Sequence, residues 1–136
     1  MEDSRQIENL IYRYAELIDS GDLEGVAELF RNGEIISSAQ NFRRTGYDQV
    51  LQMYRLSCRV YEETGTPLTR HLTTNVIIEI DDTGETASAR SYYTVLQATD
   101  SLPLQAIIAG RYHDRFHKAE GQWAFAHLLY DASGLQ

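Results

Sequence analysis

The segment HLTTNVIIEIDDTGETASARSYYTVL, residues 71–96, carries the pattern that decides the fold. Its first part alternates along the chain with a period of two, which is typical of a strand with one buried face. The residues predicted to share that face are Leu72, Thr74, Val76, Ile78 and Ile80. The turn sequence Asp-Asp-Thr-Gly at residues 81–84 follows directly. The segment therefore predicts a β-hairpin.

The second half of this hairpin and the chain after it continue the strand pattern. In the return strand, the residues predicted to face inward are Ala87, Ala89, Ser91, Tyr93 and Val95. Two more strands are predicted at about residues 105–117 and 122–130, joined by the turn Lys-Ala-Glu-Gly at 118–121. Four successive strands with short connections indicate an antiparallel meander.

The chain before the hairpin has the period of helices. Apolar residues recur at three- and four-residue intervals over residues 7–18, and Asp3 with Gln6 predicts a capping box at the start of this helix. A second, short helix is predicted to begin at Asp22, and a third covers about residues 47–63. Helices followed by a meander predict an α+β fold, in which three N-terminal helices pack on a curved antiparallel sheet and leave a pocket between the layers.

Length, charge and cysteine content exclude several classes of protein. The 136 residues predict a single domain, residues 1–136. Twenty acidic against twelve basic residues give a net charge of -8, so we expect neither nucleic acid nor an anionic membrane surface as a partner. The single Cys58 forms no internal disulfide, and no run of about 18 apolar residues is present to cross a membrane. A cytoplasmic location is the expectation.

Short motifs occur along the chain in a recognisable order. They are Arg13-Tyr14-Ala15, Asp19-x-Gly21-Asp22, Leu29-Phe30, His71-x-x-Thr74-Asn75, Gly110-x-Tyr112-x-Asp114 and Gly121-x-Trp123. In order and spacing they resemble the SnoaL-like branch of the nuclear transport factor 2-like superfamily, close to the groups that hold scytalone dehydratase, bile-acid 7α-dehydratase and lindane dehydrochlorinase. The resemblance covers nearly the whole chain. It implies a cone-shaped barrel of curved antiparallel sheet wrapped around the helices, with an internal pocket.

The resemblance also implies a catalytic site. Asp19 and His71 fall on the motif positions of the catalytic dyad of these lyases, and Tyr14 matches the tyrosine that precedes the dyad aspartate. The implied activity is a cofactor-independent lyase of the dehydratase type, or an isomerase, acting on a small, largely apolar cyclic or polyketide-like substrate. Where the dehydrochlorinase type has an arginine in the last strand, this chain has Leu128, which disfavours dehydrochlorination.

Without the resemblance, the same residues have ordinary structural interpretations. Asp19 suits a turn at the end of a helix, and a lone histidine at the start of a strand is more often structural. On an ideal helix Tyr14 and Asp19 point about 140° apart, so both serve one pocket only if the helix loosens. The alternative function is a non-catalytic ligand-binding or structural subunit, similar to the small subunit of aromatic-ring dioxygenases.

Three further residues are candidates for substrate binding, and a metal site is not predicted. Tyr54 and Tyr93 are expected in the pocket, while Asn75 either orients a ligand carbonyl or bonds backbone. His113 and His117 have metal-ligand spacing for a helix, but on a strand they lie about 13 Å apart. No glycine-rich nucleotide-binding pattern is present, so no cofactor is predicted.

A homo-oligomer, either a dimer or a trimer, is also predicted. The sheet is expected to pack helices on one face only. Four aromatic residues are assigned to the other face: Tyr92, Tyr112, Phe116 and Trp123. Such a patch is too apolar to stay exposed, so a second copy of the chain is expected to cover it.

Overall fold

A computed structural model describes residues 1–132 as three helices and a six-stranded sheet. The helices are α1 (Asp3–Asp19), α2 (Leu23–Leu29) and α3 (Gly46–Ser57). The strands are β1 (Glu34–Ser37), β2 (Phe42–Thr45), β3 (Thr69–Ile80), β4 (Thr86–Thr99), β5 (Leu102–Ala119) and β6 (Gln122–Asp131). The predicted α+β class is confirmed. The last four residues of the predicted domain, 133–136, lie outside the described residues.

The sheet has the order β2-β1-β6-β5-β4-β3. Its four long strands form the predicted antiparallel meander. The sequence analysis missed β1 and β2, because four residues each are too few to show a period. Strand β1 pairs with β6 in parallel, so the sheet is mixed, and the described strands β2 and β3 form its two open edges rather than closing a barrel. No helix in residues 1–132 has the length and apolarity needed to cross a membrane.

The core lies between the helices and the inner face of the sheet. All five residues predicted to face inward on β4 are buried. The assignment of Tyr112, Phe116 and Trp123 to the outer face is wrong, because each is at most 6% exposed and belongs to the core. Tyr112 pairs with the buried Ser91 across the β4–β5 ladder, and cross-strand partners share a face.

Two details of the predicted helices are corrected. The carboxylate of Asp3 forms no capping box: it accepts hydrogen bonds from Trp123 Nε1 at 3.1 Å and Lys118 Nζ at 3.2 Å, which tie α1 to the β5–β6 hairpin. Helix α3 ends at Ser57, and an irregular segment containing the Tyr61–Thr66 bridge follows. The predicted cap of α2 is confirmed, since Asp22 accepts from a backbone N–H at 2.9 Å.

A β-bulge divides β3 into two parts. The register with β4 shifts between Thr74 and Ile77, and Asn75 has a φ of 56°. A bulge inserts an extra residue, so the alternation of side chains changes sides there. The single apolar face predicted for this strand is therefore wrong: Leu72 is 41% exposed, whereas His71 before the bulge is partly buried like Val76 after it.

We expect the backbone of Asn75 to limit substitution there. A side chain with a Cβ pays about 1–2 kcal/mol in the left-handed region, which asparagine tolerates better and glycine adopts freely. Asn75→Gly should therefore be more stable than Asn75→Ala by about 1 kcal/mol in urea unfolding. Because Asn75 is exposed, neither change removes packing. Equal stabilities would show that the bulge relocates.

Candidate active site

A hydrogen-bonded carboxylate and imidazole join the end of α1 to the start of β3. His71 Nδ1 lies 2.7 Å from Asp19 Oδ1, and the backbone N–H of His71 donates to Asp19 Oδ2 at 2.7 Å. The hydroxyl of Thr69 donates to Asp19 Oδ1 at 2.8 Å. The side chains of His71 and Asp19 are 12% and 13% exposed. Three hydrogen bonds therefore hold the carboxylate in one orientation.

These contacts favour the charged form of Asp19 and fix the orientation of the His71 ring. Burial raises the pKa of Asp19, but the hydrogen bonds from His71 and Thr69 outweigh burial and hold that pKa below its ordinary value. The charged carboxylate accepts the Nδ1 proton, which leaves Nε2 of the neutral ring as an acceptor. Among the described residues, Nε2 has no hydrogen-bond partner. The imidazole is thus oriented, with one basic nitrogen available.

His71 stands between two concave regions. We call the first the inner cavity: it has about 470 Å³, lies between the helices and the sheet, and is lined by Tyr14 and Tyr54 beside His71. The second, the outer groove, has about 720 Å³ and runs along α1, where Asp19 lines it with Glu16. His71 lines both, so Asp19 does not have to face the inner cavity itself.

The position of His71 explains how Tyr14 and Asp19 can belong to one site although their side chains point in different directions from α1. Helix α1 stays regular to its end, since the backbone N–H of Ser20 donates to the carbonyl of Glu16 at 3.0 Å. Tyr14 faces the inner cavity while Asp19 faces the outer groove, as the helical spacing requires. The imidazole of His71 spans the distance between them, and no loosening of the helix is needed.

Phenol groups dominate the polar lining of the inner cavity. The tyrosines that line it are Tyr14, Tyr54, Tyr93, Tyr112 and Tyr130. The hydroxyls of Tyr14 and Tyr54 are hydrogen-bonded to each other. Because the two hydroxyls share one bond, one proton of the pair is left for a ligand. Tyr93 stacks on Tyr112 with ring centres 4.3 Å apart, and we call these two rings the aromatic pair.

Burial keeps four of these phenols, those of Tyr14, Tyr54, Tyr93 and Tyr112, protonated. It raises the pKa of Tyr14, Tyr54 and Tyr112 well above the ordinary value, and it raises the pKa of Tyr93 to about 12. A phenol with a raised pKa donates a hydrogen bond at neutral pH and does not act as a base. The only base that the inner cavity offers at neutral pH, among the described residues, is therefore His71.

The structure brings together most of the candidate residues. Tyr14, Tyr54, Tyr93 and His71 line the inner cavity, with Asp19 behind the imidazole. Asn75 does not join them: it is exposed at the bulge and outside the cavity lining.

Four residues of this site were not among the predicted site residues. Tyr112 was assigned to the outer face of the sheet, and Tyr130, Thr69 and Arg59 were not singled out for the site. Thr69 had a usable signal, because it precedes His71 by two positions and so shares its strand face. Nothing local distinguishes Tyr130 or Arg59.

Comparison with known proteins places the chain among SnoaL-like folds. A family model described as a SnoaL-like domain matches residues 1–128. A protein of unknown function from Mycobacterium tuberculosis is 28% identical with a TM-score of 0.81, covering 98% of this chain and 73% of that chain. A provisionally named scytalone dehydratase from Novosphingobium aromaticivorans is 26% identical with a TM-score of 0.74, covering 96% and 84%.

More distant likeness extends to proteins named for other activities. A provisionally named aromatic ring hydroxylase from Novosphingobium aromaticivorans is 19% identical with a TM-score of 0.76, covering 96% of this chain and 89% of that chain. At that identity the likeness shows the fold alone. No curated protein matches the sequence. Function has to be argued from the site, because this fold supports many chemistries.

Proposed function

Because the chain belongs to the SnoaL-like domain family, we propose that it is a cofactor-independent lyase of the dehydratase type, or an isomerase. The observation that carries the proposal is the orientation of His71. Its Nδ1 is held by the Asp19 carboxylate, while its ring lines a cavity that is also lined by protonated phenols. A base and hydrogen-bond donors in one cavity are what removal of a proton beside a carbonyl group requires.

In the proposed reaction, His71 Nε2 takes a proton from the carbon next to a substrate carbonyl. The C–H electrons form a carbon–carbon double bond to the carbonyl carbon, and the carbonyl oxygen becomes an oxyanion. Tyr14 donates a hydrogen bond to that oxygen, backed by its bond with Tyr54. In dehydration, the oxyanion electrons return, the β C–O bond breaks, and the imidazolium proton leaves with the hydroxyl group as water. In isomerisation, the same proton is delivered to another carbon.

Asp19 acts through His71 in this scheme. Its charge stabilises the imidazolium that forms when the ring takes a proton, and its bond to Nδ1 keeps the ring in the reactive tautomer. The aromatic pair of Tyr93 and Tyr112 gives the cavity ring surface that a ring-containing substrate can contact. The volume of the inner cavity, about 470 Å³, is in the range of small-molecule sites.

A substrate screen tests this function. Cyclic β-hydroxy ketones and unconjugated cyclic enones are incubated with the protein, and formation of a conjugated enone is followed by its ultraviolet absorbance. We expect turnover that depends on His71. Turnover that persists undiminished without His71 would contradict the mechanism. Binding of these compounds without any turnover would favour the non-catalytic binding subunit instead.

The homo-oligomer stays a prediction. Of the four aromatic side chains assigned to the outer face of the sheet, Tyr92 alone is exposed, so fewer of the predicted apolar side chains support an interface there. Leu72, Ile77 and Tyr92 are 41%, 46% and 50% exposed on neighbouring positions of β3 and β4. We expect light scattering to give a dimer or trimer mass, and Tyr92→Lys to shift it toward the monomer. Glu79→Lys, which changes charge on the neighbouring strand β3 without removing an apolar side chain, is the control. A monomer mass for the unmodified chain would contradict the prediction.

A further inference from the structure

The described lining of the inner cavity is positively charged, whereas the molecule as a whole is negatively charged. The chain has a net charge of -8, yet no described residue that lines this cavity is a carboxylate. Among the described residues that line the cavity, Arg59 is the one with a permanent charge, and His71 is the other that can become cationic. Although the protein is acidic, the described lining of this cavity has no carboxylate to repel an anion. Arg59 can therefore attract an anionic ligand there.

Arg59 differs from most arginines of the chain in having no carboxylate partner. The arginines that form ion pairs are Arg5, Arg13, Arg31, Arg43, Arg55 and Arg90. Among the described residues, Arg59 forms neither an ion pair nor a hydrogen bond. Its donors are therefore not committed to another part of the protein.

The guanidinium is nevertheless held in place. Its central carbon lies 4.4 Å from the centre of the Tyr61 ring. Stacking on an aromatic ring uses the face of the guanidinium and leaves its in-plane N–H groups available, which is the geometry that binds a carboxylate through two parallel hydrogen bonds. Arg59 follows the end of α3 by two residues and is exposed, so it lines the cavity where solvent reaches it.

We infer that Arg59 is the subsite for a carboxylate group of the substrate. The inference rests on the proposed function for the identity of the cavity, and it refines the substrate class. The substrate is a flat, ring-containing carboxylate whose ring system contacts Tyr93 and Tyr112 and whose acidic group points to Arg59. A single guanidinium suits a singly charged carboxylate better than a phosphate, for which the described lining offers no second permanent cation.

A binding experiment tests the subsite without any turnover. The probes are 2-naphthoate and its uncharged isostere 2-naphthamide, and binding is measured by fluorescence anisotropy at neutral pH and low salt. We expect the unmodified protein to bind the carboxylate about 10-fold more tightly than the amide. Arg59→Gln should remove this preference by weakening naphthoate alone, and Arg59→Lys should keep part of it.

The matched control is Arg55→Gln. It removes the same charge from an exposed position four residues earlier, where Arg55 pairs with Glu24 outside the cavity. This variant should keep the full preference. Equal or undetectable binding of the two probes to the unmodified protein, or a preference that survives Arg59→Gln, would overturn the inference.

His71→Ala separates this inference from the proposed function. It should lower turnover by about 10²- to 10⁴-fold and leave the preference for naphthoate unchanged. Loss of the preference in His71→Ala but not in Arg59→Gln would assign the anion to the imidazole and overturn the role of Arg59. Conversely, failure of the substrate screen with an intact naphthoate preference would overturn the catalytic proposal and leave the subsite standing.

Discussion

Replacing His71 with alanine is expected to lower the turnover number by about 10²- to 10⁴-fold, the usual contribution of a positioned general base. The reason is that no other described side chain in the inner cavity is a base at neutral pH, since burial keeps its phenols protonated. The measurement is steady-state turnover of the best substrate from the screen. The control is His113→Ala, because His113 is exposed on β5 and lies outside the inner cavity.

Asp19→Asn is expected to reduce turnover by a similar route and to destabilise the protein as well. The carboxylate of Asp19 accepts the backbone N–H of His71. In Asp19→Asn, the side-chain amide N–H would face one of the groups that now donate to the carboxylate, and that hydrogen bond would be lost. Urea unfolding therefore has to accompany the kinetics. If the two residues act as a unit, the double variant should lose little more than the worse single variant. Independent, multiplicative losses would contradict the role of Asp19 as a positioning residue.

Replacing Asp114 with asparagine is expected to make the protein more stable at neutral pH. Asp114 is only 2% exposed, and its Oδ1 has no hydrogen-bond partner among the described residues. Across the β5–β6 ladder it faces Leu128, so no charge compensates it there. Burial raises the pKa of this carboxyl well above its ordinary value, and the folded protein therefore holds a proton that the unfolded chain releases.

The sign of the pH dependence follows from that proton. Between the unfolded pKa, about 3.9, and the raised folded pKa, the folded state binds one more proton than the unfolded state. The free energy of unfolding of the unmodified protein should then fall by about 1.4 kcal/mol per pH unit relative to Asp114→Asn. Below the unfolded pKa the relative contribution of Asp114 is fully restored. Urea unfolding of both proteins across this range measures the difference, and parallel curves would contradict it.

Asp81 provides a control with the opposite sign. It lies in the β3–β4 turn, where hydrogen bonds from Thr83 and Thr86 lower its pKa to about 2. A lowered pKa means that the charged carboxylate stabilises the fold above the unfolded pKa, and that this stability is lost as the pH falls toward 2. Asp81→Asn should therefore be less stable than the unmodified protein at neutral pH and converge with it in acid.

Much of the fold could be predicted because it depends on the regular spacing of apolar residues within single helices and strands. The alternation of β4 and the helical period of α1 each place a whole face of the element, and both faces are buried as predicted. The identity of Asp19 and His71 as partners came from motif positions, and the structure places them in hydrogen-bond contact. Local periods succeed because they require only that one side of an element be apolar.

Only the tertiary structure decided which residues meet. Asp19 and His71 are separated by 52 positions, and their contact depends on how α1 lies against the edge strand. The bulge at Asn75 reverses the faces of β3, and the register of β5 against β4 turns Tyr112 into the cavity. Register depends on free energies of packing summed over both strands and the helix above them. No window of the sequence contains those contacts, so the aromatic pair and the position of Arg59 became visible only in the folded chain.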